Sequence, residues 1–308
     1  MKNERRFYSG ILIHCYQNTV NGGLLFYSIS DHLVYFTNLC VYAQRYGIIV
    51  VAACQMPDHS HLGVTAPSLN NLSCFIRDLT AAFAKHDAVV CKRHGRLFNK
   101  SFGSAPKQGA KKARSTIIYI GNNPVERQLC CKAVQYRWNY LAYGLSDHPF
   151  SDPLIIRRSS WNMKKALAEV KAQYKRKMPL TYPFLQRLFA MLDQKERNQL
   201  VDYIVTTYNV IDYQYAGRFF DSIGDMVKAM DYNTGSEHDL NETKQGRSDA
   251  CYAQITKWLM KEKHLKDIHE IFLLSEEQRA EVLFEIYCEL KIEVWQIAKY
   301  LRIKVRYE

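Results

Sequence analysis

A hydrophobic period that switches repeatedly between two and about 3.6 is what most constrains this chain. Residues 9 to 83 carry alternating apolar stretches and helical stripes in turn, and a segment written in one period does not pack stably in the other structure. Ser9 to Tyr16 alternates around Ile11 and Ile13. Asn21-Gly22-Gly23 then supplies residues tolerant of positive φ before the apolar run Leu24 to Tyr27, which predicts a hairpin. Asp31 is the expected cap of a helix striped by Phe36, Leu39, Cys40 and Ala43 and closed by Gly47. A buried strand, Ile48 to Cys54, follows. Pro57 and Asp58 turn the chain into a fourth strand, His59 to Ala66, and a long helix begins near Leu69 with Leu72, Phe75, Ile76, Leu79 and Phe83 on one face. The order β-β-α-β-β-α predicts the α+β class, a small antiparallel sheet with helices packed on one face.

Ala110 to about Ile120 reads as a further helix, which Pro124 is expected to interrupt. From about Asp152 the periodicity is helical, as in Leu185, Leu188, Phe189 and Leu192, or Val201, Ile204 and Val205. Residues 233–249, poor in apolar side chains, predict an exposed loop. Ser275-Glu276-Glu277-Gln278 is a capping-box pattern opening an amphipathic helix. A last helix with Trp295, Ile297, Ala298 and Leu301 resembles the first half of a helix-turn-helix, but the chain ends at Glu308 before a recognition helix, so packing or protein contact is its expected role. His264 and His269 read as a surface pair. At about 150 residues per domain, 308 residues imply two domains, here 1–150 and a mainly helical 151–308.

Composition narrows the partner. With 47% apolar residues the chain is not a disordered tail, and no apolar run is long enough to span a membrane or serve as a signal peptide, so a soluble, cytoplasmic protein is expected. The nine Cys are odd in number and lack a Cys-x-x-Cys pair, which predicts reduced thiols in place of a zinc ribbon or disulfide framework. Net charge is +12 and unevenly spread. Between Ala88 and Val125 there is no acid, yet Lys92, Arg93, Arg96, Lys100, Lys107, Lys111, Lys112 and Arg114 fall there. Residues 155–177 hold Arg157, Arg158 and six more cations against Glu169 alone. Solvated helix faces would explain either block; segregation without acids leaves repulsion that a polyanion relieves, which favours phosphate contact.

Two pairs of residues stand out chemically. His59 and His61, at i and i+2 on a strand, point to one face at a separation able to chelate a cation, although the same spacing also suits two half-exposed polar residues. Tyr119 and Asn123, at i and i+4, would share a helix face if the helix survives to Pro124.

Met56-Pro57-Asp58-His59-Ser60-His61-Leu62, followed by Tyr119-Ile120-Gly121-Asn122-Asn123-Pro124-Val125, resembles the single-tyrosine HUH transposases, and most nearly the REP-associated tyrosine transposases. Gly95-Arg96-Leu97-Phe98-Asn99-Lys100-Ser101-Phe102 and Trp138-Asn139-Tyr140 extend the likeness across roughly residues 8 to 145. Gly121 stands where that family usually has His, and Asp58 where Asn is frequent. The resemblance implies a ferredoxin-like HUH domain in which His59, His61 and Asn123 bind a divalent cation and Tyr119 is the nucleophile. It implies cleavage and rejoining of single-stranded DNA beside a hairpin through a 5′-phosphotyrosine. A mixed nitrogen and oxygen ligand set of this kind suits Mg²⁺ or Mn²⁺. The monomer and the homodimer are both open. Two rivals stay in view: a domesticated, non-catalytic nucleic-acid binder, and a hydrolase using activated water.

Overall fold

The computed structural model describes residues 6–20, 22–98, 102–232 and 248–303. In chain order it begins with β1 (Ile13–Asn18), α1 (Ile29–Tyr46), β2 (Ile49–Met56), β3 (His59–Thr65), α2 (Leu69–Val90), β4 (Gly103–Pro106) and α3 (Ala110–Glu126). The four strands pair antiparallel in the order β2-β3-β1-β4. This is the α+β class, with the β-α-β-β-α-β order of the ferredoxin-like arrangement.

The expected hairpin is absent. Leu24–Tyr27 forms no strand, because its residues face two ways: Leu25 and Phe26 enter the core beside α1, while Leu24 and Tyr27 enter a separate cluster of C-terminal helices. The amides of Leu25 and Phe26 donate to Pro57 O at 2.7 and 3.2 Å, which pins the segment to the β2–β3 turn without a ladder. β1 pairs instead with β4, a four-residue edge strand ending in Pro106, where a missing N–H costs little. The cap of α1 also differs from expectation. Ser28 Oγ accepts from Asp31 N at 3.2 Å and the Asp31 carboxylate accepts from Ser28 N at 2.9 Å, so Ser28 is the N-cap and Asp31 closes the capping box.

Strand alternation divides the side chains between two faces. Ile13, Cys15, Ala53, Leu62 and Val64 pack with Leu33, Phe36 and Leu39 of α1 and Phe75, Leu79 and Phe83 of α2. A bulge at Val51, between the paired Val50 and Ala52, sets the phase of β2 so that Cys54 and Met56 lie on the opposite face. There α3 crosses the sheet. It runs through Pro124, contrary to expectation: the proline sits in the last turn, where it removes one N–H, and Arg127 N to Asn123 O (3.1 Å) and Leu129 N to Pro124 O (2.9 Å) close the end.

Helices α4 (Trp161–Lys175), α5 (Tyr182–Ala190) and α6 (Gln194–Tyr208) continue the α1-side core through Met163, Val170, Leu185, Leu200 and Ile204. The short α7 (Tyr213–Gly217) lies against β2 and α8 (Ile223–Tyr232) against α3, with Ala216, Met226 and Met230 in one apolar cluster. Helices α9 (Cys251–Glu262), α10 (Glu276–Leu290) and α11 (Val294–Leu301) build the separate cluster around Ile255, Ile286, Ile297 and Leu301; α10 opens with the expected capping box at Ser275. All but the last two residues of the expected 233–249 loop lie outside the described residues. No helix of the described residues is long and apolar enough to cross a membrane, and the nine cysteines are unbridged. His264 is exposed as expected, but His269 is 4% exposed, with Nε2 donating to Asp31 Oδ2 at 3.0 Å and Nδ1 3.0 Å from the Tyr182 hydroxyl. Its residue type signals nothing of this; the neighbours come from α1 and α5.

Candidate active site

The face of β3 that α3 crosses carries both expected histidines. His61 lies opposite Tyr16 of β1 and Cys54 of β2, and His59 opposite Asn18 and Met56. Gly63, next on that face, lets the helix approach: a β-carbon there would sit 3.2 Å from Ile120 Cδ1. This close seat puts Tyr119 edge-on to His61, ring centres 5.3 Å apart. One turn on, Asn123 Nδ2 lies 3.3 Å from His61 Nε2. The structure therefore brings His59, His61, Tyr119 and Asn123 together, none more than 5% exposed.

A second layer orients the imidazoles. His59 Nδ1 donates to Asp58 Oδ1 at 2.5 Å, and the other Asp58 oxygen accepts from Lys299 of α11. His61 Nδ1 meets His14 Nε2 at 2.9 Å, the rings stacked with centres 5.1 Å apart. One proton assignment satisfies these contacts: His59 carries its proton toward Asp58 and His61 toward His14, which turns the His59 Nε2 lone pair to the site and lets that of His61 accept from Asn123 Nδ2, a contact a cation would replace as the amide turned its oxygen inward. Burial, followed by the charges of His59 and His14, holds His61 well below the usual histidine range. Burial first, then Lys107 and His59, lowers His14 to about 3. Both rings are thus uncharged at neutral pH, as cation ligation and hydrogen-bond acceptance require.

His59 Nε2 is buried with no hydrogen-bond partner among the described residues, a cost of about 1–3 kcal/mol for a polar atom that a bound ion would remove. The residues present fit a divalent cation, with two ring nitrogens and an amide whose oxygen suits hard ions. No group of three or more His, Cys, Asp or Glu side chains among the described residues is placed to hold a metal, so an amide must complete any three-ligand set here. Sequence reasoning did not single out His14, Lys299 or Arg127, whose charge acts on His61. None of the three had a local signal: His14 is brought to the site by the pairing of β1 with β3, opposite Gly63.

Gly121 has a packing reason. A β-carbon there would lie 2.5 Å from Met230 Sδ of α8, and its carbonyl accepts from Asn139 Nδ2 at 3.0 Å. A side chain at 121 would have to displace the end of Met230.

The basic residues divide by surroundings. Lys111, Lys112 and Arg114 are exposed near the start of α3, a helix with no acid in its first turn, and the Arg114 guanidinium lies over Phe220 at 5.0 Å. Lys107, half-buried beside them, is lowered first by burial and then by Lys112. Lys92, Arg157 and Arg158 are exposed. Arg96 is also exposed and lines an open cleft of about 820 Å³ along α2 with Lys85, Phe98 and Phe102. Arg93 instead donates to the buried Asp87 at 2.6 Å, which commits its charge to the fold. Lys100 lies outside the described residues.

No family model and no curated protein matches the chain. A solved structure of a REP-associated tyrosine transposase bound to a REP hairpin is similar at 18% identity and a TM-score of 0.40, over 47% of this chain and 88% of that one.

Proposed function

We propose that the protein is a metal-dependent single-stranded DNA endonuclease and strand transferase, transposase-like, acting beside a DNA hairpin through Tyr119. The observation that carries this reading is the buried cluster in which a phenol, two imidazoles set edge to face with centres 4.7 Å apart, and an amide converge although they are drawn from β3 and α3. His59, His61 and Asn123 would hold Mg²⁺ or Mn²⁺, whose charge would offset that of the scissile phosphate. Tyr119 Oη forms the bond to phosphorus and the bond to the 3′ oxygen breaks. The phenol loses its proton and the departing 3′ oxygen gains one. A 5′-phosphotyrosine results, one phosphodiester exchanged for another, so the 3′-hydroxyl can reverse the step and rejoin the strand without ATP. Residues 1–150 supply these groups, and 151–308 act as a basic connector and helical support. Lys107, Lys111, Lys112 and Arg114, beside the positive end of α3, would position phosphates near the cut.

The burial of Tyr119 favours a second reading, a DNA binder that has lost turnover. At 5% exposure the phenol meets a phosphodiester only after covering side chains move. Labelled single-stranded hairpin oligonucleotides incubated with Mn²⁺ separate the two. The proposal expects nicking with a denaturant-resistant adduct that Tyr119→Phe abolishes; nicking unchanged in the variant would indicate activated water, and binding without nicking a domesticated binder.

A further inference from the structure

We propose that Lys299, on α11 of the C-terminal cluster, is a positioning residue for the candidate metal site, acting through Asp58 on His59. This inference rests on the metal-dependent reading above. Lys299 and Asp58 are 241 positions apart, yet their charged groups pair directly with the side chains 20% and 15% exposed. The carboxylate is thereby divided between two tasks. Oδ1 accepts the proton of His59 Nδ1 at 2.5 Å, and Oδ2 is occupied by the ammonium, so the group cannot rotate away from the ring without breaking an ion pair. Orientation of a ligand's distal nitrogen in this way fixes where its lone pair points, and His59 Nε2 is the buried atom without a hydrogen-bond partner.

The ammonium has a fixed origin. On the same helix and just beyond it, Tyr300 O accepts from Tyr27 OH at 3.0 Å, and Arg302 donates to Asp87 at 2.5 Å and to Leu24 O at 2.9 Å. α11 is therefore anchored to the catalytic side by contacts that do not involve Asp58. A second carboxyl, Asp249, lies in the same field, but burial and then the charge of Asp58 hold its proton to higher pH than in an exposed Asp. Asp58 is the opposite case: burial resists its ionisation, yet His59 and Lys299 outweigh it and keep the group ionised. With Lys299 gone, Asp58 is a partly buried carboxylate with one partner, free to turn from the ring.

The test uses the full chain and Mn²⁺ alone, with binding followed by the electron paramagnetic resonance signal of the free ion and melting temperature read in parallel. Lys299→Met keeps most of the aliphatic stem and removes the charge. Asp58→Asn removes the charge yet keeps an oxygen that can accept from His59 Nδ1. The expected result is that Lys299→Met weakens Mn²⁺ binding about 10–100-fold, the usual cost of losing an outer-layer partner. The double variant Asp58→Asn/Lys299→Met should return to within about threefold of wild type, since a neutral amide at 58 is not drawn off the ring toward water as a lone carboxylate is. Both variants lose the same tie to α11 and should melt at similarly lowered temperatures, so a strut would weaken both alike. Mn²⁺ binding unchanged or tightened in Lys299→Met, or no recovery in the double variant, would overturn the inference. His59→Ala and His61→Ala provide the control: if they leave Mn²⁺ binding unchanged, the metal reading itself falls and this inference with it.

Discussion

Substitution of His269 by Gln should cost stability in a way that disappears with rising pH. His269 Nε2 lies 3.0 Å from Asp31 Oδ2 and Nδ1 lies 2.7 Å from Asp267 Oδ1. Asp31 also accepts from His86 Nε2 at 2.8 Å and from Tyr27 N at 3.0 Å, so it keeps partners in the variant. Burial alone would lower His269, but the charges of Asp31 and Asp267 outweigh it and raise the ring from 6.5 to about 9. A raised folded-state value means that the stabilisation is complete below about 6.5 and vanishes as pH climbs through about 9. Linkage applied to those two values yields about 2.6 kcal/mol at pH 7 and about 0.4 kcal/mol at pH 9. Gln does not titrate, and cysteine and tyrosine ionisation is shared by both proteins. The gap in unfolding free energy between wild type and His269→Gln, measured from urea denaturation curves, should therefore shrink by about 2 kcal/mol between pH 7 and pH 9. An equal gap at both values would mean that His269 is not charged in the folded protein, contrary to its placement between Asp31 and Asp267.

Two other perturbations follow from the packing and the charge map. Gly121→His should destabilise by about 1–3 kcal/mol, because the new side chain must displace Met230; Met230→Ala should recover part of that loss in urea unfolding, and strict additivity of the two changes would count against the contact. Lys111→Ala combined with Lys112→Ala should leave stability unchanged and reduce the slope of log affinity against log salt by about 1.4 on single-stranded DNA. Arg93→Ala should do the reverse, leaving the salt slope unchanged and costing about 2 kcal/mol, less than a fully broken buried pair because Arg302 still holds Asp87. An unaltered slope in the Lys pair, or an altered one in Arg93→Ala, would show that the two groups have been assigned to the wrong tasks.

Elements that keep one period over most of their length were legible in the sequence. α1 and α2 each turn one stripe to the core beside the sheet, and β2 and β3 read as strands although their two faces meet different partners, so His59 and His61 could be placed on a common face from strand geometry alone. Leu24–Tyr27 misled because its four apolar residues divide between two clusters, so a run that reads as a strand is a strap under the C-terminal helices. β4 was unreadable for the opposite reason: Gly103 to Pro106 has almost no side-chain pattern, and its place is set by β1. Pro124 suggested a break, yet a proline two residues from a helix end forfeits one hydrogen bond while the buried face of α3 retains its packing. His14 and Lys299 were missed, and His269 was misread as a surface residue, because what defines them is a partner far along the chain, and a single sequence does not report such pairings.

In the proposed reaction Tyr119 becomes joined to DNA. Wild-type protein incubated with Mn²⁺ and a hairpin oligonucleotide from the DNA flanking its own gene, then digested and analysed by peptide mass spectrometry, measures this directly. The expected result is a nucleotide adduct on the peptide containing Tyr119, absent without Mn²⁺ and absent in Tyr119→Phe. Cleaved oligonucleotide with an unmodified Tyr119 peptide, or an adduct on another residue, would contradict it.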